Sequence, residues 1–114
     1  MVQIGNLVER RLTDVVLRRL DSEPVIVLQG PRTVGKSTLL REIAGRFGVQ
    51  VIDLDDPATR DAVKADPGLF VGGPSSPVLI DEFQHVPEVL DAIKAELNKD
   101  LRPGRFILLS LIHI

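Results

Sequence analysis

The stretch GPRTVGKS, Gly30 to Ser37, sets Gly30, Gly35, Lys36 and Ser37 in the spacing G-x-x-x-x-G-K-[ST]. Glycines let a backbone adopt conformations that other residues resist, so that several N–H groups can point into one concavity. A helix that begins there adds its own unpaired N–H groups and the positive end of its dipole, which favour an anion. Lys36 supplies a cation for β- and γ-phosphates, and the Ser37 hydroxyl is a hard oxygen suited to Mg2+. The residues expected to cradle the phosphates are Gly30, Pro31, Arg32, Thr33, Val34, Gly35, Lys36, Ser37 and Thr38. Arg32 and Thr33 occupy variable positions of the pattern and receive no catalytic role. A plain glycine-rich turn is the simpler alternative, and the flanking elements decide against it.

A second constellation lies downstream. Val78-Leu79-Ile80-Asp81-Glu82 is an apolar run that ends in two acids, the form of a Walker B strand. Asp81 is expected to hold Mg2+ through water, and Glu82 to act as the base that orients water against the γ-phosphate. Glutamate directly after that aspartate points to hydrolysis rather than to transfer onto a small molecule. Asn98-Lys99-Asp100 approaches the guanine-specifying Asn-Lys-x-Asp, but the required acid would fall at Leu101, so ATP is expected over GTP. His85 reads as a polar loop residue before a phosphate sensor. Gln84 could position water or relay the state of the γ-phosphate. Asp53, Asp55 and Asp56 are explained first by capping and solvation, with nucleotide or partner contact as the remainder.

These groups need elements to place them. Val25-Ile26-Val27-Leu28-Gln29 is short, apolar and β-branched, as in a strand buried on both faces. The loop follows it, then a helix from Lys36 to about Phe47 with Leu39, Leu40, Ile43 and Phe47 on one side, stopped by Gly48. Val49 to Leu54 is predicted as the second strand. Asp56-Pro57 is predicted as a capped helix start running to about Ala65, and Asp66 to Pro77 as a loop. Pro77 to Glu82 is the third strand, a helix after Pro87 carries Val86, Val89, Leu90, Ile93 and Leu97, and Arg105 to about Leu109 is the fourth strand. Ahead of all these, Val8, Leu12, Val15, Val16 and Leu20 predict an amphipathic helix with a solvated basic side. Alternation of strands and helices predicts an α/β fold with a mainly parallel sheet.

Composition agrees with a globular chain: 114 residues, 44% hydrophobic and 26% charged. A net charge of -2 and a pI near 5.6 give no electrostatic case for nucleic acid. With no cysteine and only His85 and His113, neither a disulfide framework nor a thiolate or histidine metal cluster is available. No apolar run approaches the ~20 residues of a membrane span, so a cytoplasmic protein is expected.

GPRTVGKSTLL, DLDDPATRDAVKADPGLF and VLIDEFQHVPEVLDAIKAELN together resemble the prokaryotic AAA-type ATPases that carry a C-terminal domain of unknown function. The resemblance runs to about Leu108. It implies a P-loop NTPase three-layer sandwich of the additional-strand class, with spatial strand order 5-1-4-3-2. It also implies ATP and Mg2+ as ligands, Lys36 and Ser37 on phosphate and metal, Asp81 on the metal and Glu82 on the water. An activity follows more readily than a biological purpose. The partner protein stays open, and a homo-oligomer is an expectation by analogy alone.

The family pattern after Gly104-Arg105-Phe106-Ile107-Leu108 continues Thr-Gly-Ser, whereas this chain reads Leu109-Ser110-Leu111-Ile112-His113-Ile114. Those six residues are what CTG TCT CTT ATA CAC ATC, the DNA of a transposase-based sequencing adapter, encodes. Residues 1–108 are therefore expected to be the N-terminal part of an ATPase domain, and 109–114 adapter read-through. The fifth strand, the sensor, an arginine finger and the C-terminal domain would then be missing. Two other functions compete with ATP hydrolysis: a nucleotide-dependent binding switch with incidental turnover, and a small-molecule kinase, for which the sequence shows neither acceptor pocket nor lid. The 114-residue chain alone is expected to bind nucleotide weakly and hydrolyse it poorly. A phosphate-release assay checks this, and turnover at the rate of an intact AAA enzyme would overturn it.

Overall fold

A computed structural model of the chain describes residues 4–30, 36–73 and 76–111. Helix α1 spans Ile4–Leu20, strand β1 Val25–Gly30, helix α2 Lys36–Phe47 and strand β2 Val51–Asp53. Helices α3, Pro57–Ala65, and α4, Pro67–Val71, precede strand β3, Val78–Asp81. A 3-10 turn at Phe83–His85, helix α5, Glu88–Lys99, and strand β4, Phe106–Leu111, follow. The four strands form one sheet in the order β1-β4-β3-β2, and every pairing is parallel. The fold expected from the resemblance is thus present for the strands described, with β4 between β1 and β3.

The central strands read as continuous apolar runs because both faces are covered. Ile107 and Leu109 of β4, with Leu79 of β3 and Ile26 of β1, pack under α1 and α2 against Val16, Leu20, Leu39, Leu40 and Ile43. Phe106 and Leu108, with Ile80, face the opposite way, toward Val63, Val71, Phe83, Val86, Val89 and Ile93 of α3, α4, the 3-10 turn and α5. Alternate residues of one strand therefore serve two cores, as the period of two requires. None of Phe106, Ile107, Leu108 and Leu109 is more than 2% exposed. Leu109 and Ser110, from the segment expected to be adapter-encoded, are buried and pair with Leu28 and Gln29. Their apolar and small character suffices for pairing whatever their origin.

Several local expectations hold. Asp56 caps α3, its carboxylate accepting from the Thr59 N–H at 3.1 Å and the Thr59 hydroxyl at 2.7 Å, with Pro57 beginning the helix. The same bonds hold the Asp56 carboxyl below its usual range. Gly48, at φ 66°, ends α2 in the left-handed region that an L side chain resists. Gly104, at φ 77°, turns the chain so that its N–H and those of Arg105 and Phe106 reach the carbonyls of Glu23 and Pro24, docking β4 beside β1.

Other expectations change. The segment Asp66 to Pro77 is not all loop: Asp66 caps α4 through the Leu69 N–H at 3.2 Å, and α4 buries Val71. Proline and glycine suggest a loop locally, but Pro67 suits the first helical position and the apolar face finds α5. The second strand is shorter than expected, Val51–Asp53. On α1, Val15 is 36% exposed while Thr13 is buried, its hydroxyl 3.4 Å from the Glu42 carboxylate on α2. Phe47 and Leu90 likewise turn outward from their helical stripes.

Arg105, unremarked in the sequence, is buried at 7% exposure. Its guanidinium donates to the carbonyls of Glu96 and Asp100, each at 2.9 Å, and pairs with the Glu96 carboxylate at 3.4 Å. The guanidinium carbon lies 5.1 Å from the centre of the Phe106 ring. One side chain thus satisfies the carboxyl end of α5 and ties it to β4. Arg105→Ala removes the donor to the Asp100 carbonyl and one of the donors to the Glu96 carbonyl and carboxylate, and is expected to destabilise the chain by about 2 kcal/mol. A lower midpoint of urea unfolding with little change in slope checks this.

Candidate functional site

Parallel pairing sends the carboxyl ends of all four strands to one edge, where ligands of open α/β sheets bind. Leu28, Leu109 and Asp81 form one row across β1, β4 and β3. Gly30 stands two residues beyond that row on β1, and α2 begins at Lys36. With strands ~4.8 Å apart, β1 and β3 run about 10 Å from one another across β4. Pro31, Arg32, Thr33, Val34 and Gly35 lie outside the described residues. The backbone of Lys36 and Ser37 opens α2, and Thr38 in its first turn is exposed.

Asp81 ends β3 half-buried, directly paired across the ladder with Asp53 at the end of β2. A cleft of about 310 Å3 opens there, lined by Leu40 and Arg41 of α2, by Val51 and Asp53, and by Asp81. This is a concavity beside the candidate site that the sequence did not reveal. Burial pushes the Asp81 carboxyl up to about 6, with further upward pressure from the charges of Glu82, Asp53 and Asp55. The edge is therefore a place where negative charge is held at a cost. Hard carboxylate oxygen with an unmet demand for positive charge fits a divalent cation such as Mg2+. Among the described residues no group of three or more acidic or histidine side chains is arranged to hold a metal on its own. Bound phosphate oxygens would have to complete such a site.

Glu82 follows with φ 58° and ψ 46°, a left-handed backbone for a residue with a full side chain. Such a conformation persists only where its surroundings dictate it, and it is often found at working sites. Here the buried Phe83 and Val86 anchor the turn from the core side. The bend turns the Glu82 carboxylate inward, to 12% exposure. Its Oε2 accepts from the Gln84 amide at 2.9 Å and lies 3.8 Å from His85 Nε2. Its Oε1 is buried with no hydrogen-bond partner.

His85 Nε2 also approaches Asp55 Oδ1 at 3.5 Å, and Arg60 lies 3.9 Å from the same oxygen. Arg60 is itself fixed by the carbonyls of Leu54 at 2.9 Å and Asp55 at 3.3 Å. The three aspartates at the end of β2 and just after it therefore part company. Asp53 lines the cleft, Asp55 faces His85, and Asp56 caps α3. The sequence groups all three under capping and solvation, and only the ladder and the turn show which acid meets which partner.

Comparison with known proteins gives the family. A family model described as an AAA domain matches residues 22–110, and the chain belongs to that family. It is at family level a nucleotide-binding P-loop NTPase. Over 106 residues it is 36% identical to uncharacterized proteins of Mycobacterium bovis and Mycobacterium tuberculosis, an alignment covering 91% of this chain and 24% of each relative. The chain thus spans about a quarter of the length of these relatives. It is also 28% identical over 85 residues to a shikimate kinase of Xanthomonas axonopodis pv. citri, covering 75% of this chain and 45% of that enzyme. No solved structure matches it. Among the described residues no helix is long and apolar enough to cross a membrane.

The raised Asp81 carboxyl sets a pH signature. The folded chain holds a proton on Asp81 up to about pH 6, whereas an unfolded aspartate releases it near 3.8. The protonated form therefore contributes stability below 3.8, and that contribution is lost as pH rises toward 6. Asp81→Asn removes the charge that burial, Glu82, Asp53 and Asp55 oppose. It is expected to raise the melting temperature of the nucleotide-free chain at pH 7.5, and to narrow its difference from wild type at pH 4. Thermal unfolding at the two pH values checks both parts.

Proposed function

We propose that the chain binds ATP with Mg2+ and hydrolyses it, as the nucleotide-handling module of a longer cytoplasmic polypeptide. The observation that carries this reading is Glu82. It is a carboxylate placed by a left-handed turn at the end of β3, on the same sheet edge from which Gly30 leads into α2. Gly30 to Thr38 would cradle the triphosphate, with Lys36 against the β- and γ-phosphates. Ser37 and Asp81 would hold Mg2+, which when bound draws charge from the phosphate oxygens. Glu82 accepts a proton from water as the water oxygen bonds to the γ-phosphorus. The bond to the bridging oxygen breaks, and ADP and inorganic phosphate leave. The remainder of the polypeptide would couple this cycle to a partner or to copies of itself.

A second reading draws on one observation. The cleft with Arg41, Asp53 and Asp81 could admit a small acceptor, and the similarity to a shikimate kinase gives phosphoryl transfer a precedent among relatives. A binding switch, in which occupancy rather than turnover matters, is the third. Glu82→Gln separates them in the complete gene product. Hydrolysis predicts loss of phosphate release by about 10^2- to 10^4-fold with ATP still bound. A kinase would keep substantial transfer to its acceptor, and a switch would keep its biological output. Lys36→Ala is expected to weaken ATP binding itself by about 10- to 100-fold, as removal of a charged phosphate contact does. Calorimetric titration with ATP, beside a phosphate-release assay, measures both.

A further inference from the structure

The Glu82 carboxylate is held unevenly. Oε2 has the Gln84 amide at 2.9 Å and His85 Nε2 at 3.8 Å, while Oε1 is buried with no donor at all. A buried acceptor without a donor is costly, so native chains seldom leave one without a reason. The left-handed backbone at Glu82 adds to the cost of this arrangement. Both are sustained by groups outside the carboxylate. Gln84 is exposed and contributes nothing to the core, yet its amide turns back onto Glu82. His85 spans Glu82 and Asp55, and Asp55 belongs to a loop pinned by three contacts from Arg60.

We infer that Gln84 and His85 are positioning residues for Glu82: the Gln84 amide holds its Oε2 at 2.9 Å, and the His85 imidazole stands 3.8 Å from the same oxygen. Asp55, steadied by Arg60, approaches the same Nε2 at 3.5 Å and keeps the imidazole between the two carboxylates. The chain Arg60–Asp55–His85–Glu82 thus links the segment after β2 to the base at the end of β3. This inference rests on the hydrolytic reading above. It adds that the water-activating geometry is set by side chains outside the glycine motif and the acid pair.

The expected signature is a loss in turnover without a loss in binding. In the complete gene product, Gln84→Ala and His85→Phe should each lower kcat, by up to about 100-fold if Glu82 loses its alignment, with KM for ATP little changed. His85→Gln, which restores an N–H donor of similar reach, should recover most of the His85→Phe loss. In a Glu82→Gln background neither substitution should lower turnover further, because residues acting through one group are not additive. Gln84 is exposed and uninvolved in the core, so its variant tests the idea even if His85→Phe folds poorly. Wild-type kcat in Gln84→Ala, or full losses that persist in the Glu82→Gln background, would overturn the inference while leaving hydrolysis by Glu82 intact. A wild-type gene product that binds ATP yet releases no phosphate would overturn the hydrolytic reading and the inference with it.

Discussion

Burial of β4 on both faces is the constraint from which the rest follows. Its four residues Phe106 to Leu109 serve two cores in alternation, so the strand can neither slip by one residue nor lie at an edge without exposing one set. Its position in turn sets the distance between β1 and β3. Gly30 and Asp81 reach a common edge because β4 separates their strands by one ladder on each side. Gly104 and Arg105 reinforce the register from the other end, through bonds to Glu23 and Pro24 and to the carboxyl end of α5.

A sheet built this way has an electrostatic consequence. Each apolar strand delivers its first polar residues to the carboxyl edge, and β2 and β3 both deliver aspartate. Asp53 and Asp81 face one another with Glu82 and Asp55 nearby, and the burial that stabilises the strands also raises the Asp81 carboxyl. The protein relieves this surplus unevenly. Arg60 and His85 attend Asp55, and Gln84 attends Glu82, while Asp81 and Asp53 line the open cleft with Arg41.

Legibility in the sequence followed the range of the interactions. The Asp56 cap, the stop at Gly48 and the apolar run of β3 depend on neighbours a few residues away, and they could be read directly; the run of β1 reads as buried on both faces, but the strand ends the described sheet and leaves Val27 52% exposed. Helix α4 could not. Pro67, Gly68 and Gly72 speak for a loop, and only the contact of its apolar face with α5 makes the helix worthwhile. Thr13 replaced Val15 on the buried side of α1 because Glu42 of α2 meets it there, a contact 29 residues distant. Arg105 resembled any surface arginine until Glu96 and Asp100 were brought beside it.

For the site, the sequence by itself determined the residue types and their attachment to strand ends: the glycine motif after β1, and Asp81 and Glu82 after β3. Spacing carries that information because a phosphate cradle is built from consecutive backbone groups. The strand order was legible only through family resemblance, since no local pattern says which strand lies beside which. Tertiary structure alone decided that Asp53 pairs with Asp81, that Asp55 reaches His85, and that the Glu82 carboxylate turns inward with one oxygen held and one bare. Those facts depend on ladder register and on a left-handed turn braced by Phe83 and Val86, and both are settled by long-range packing rather than by neighbouring residues.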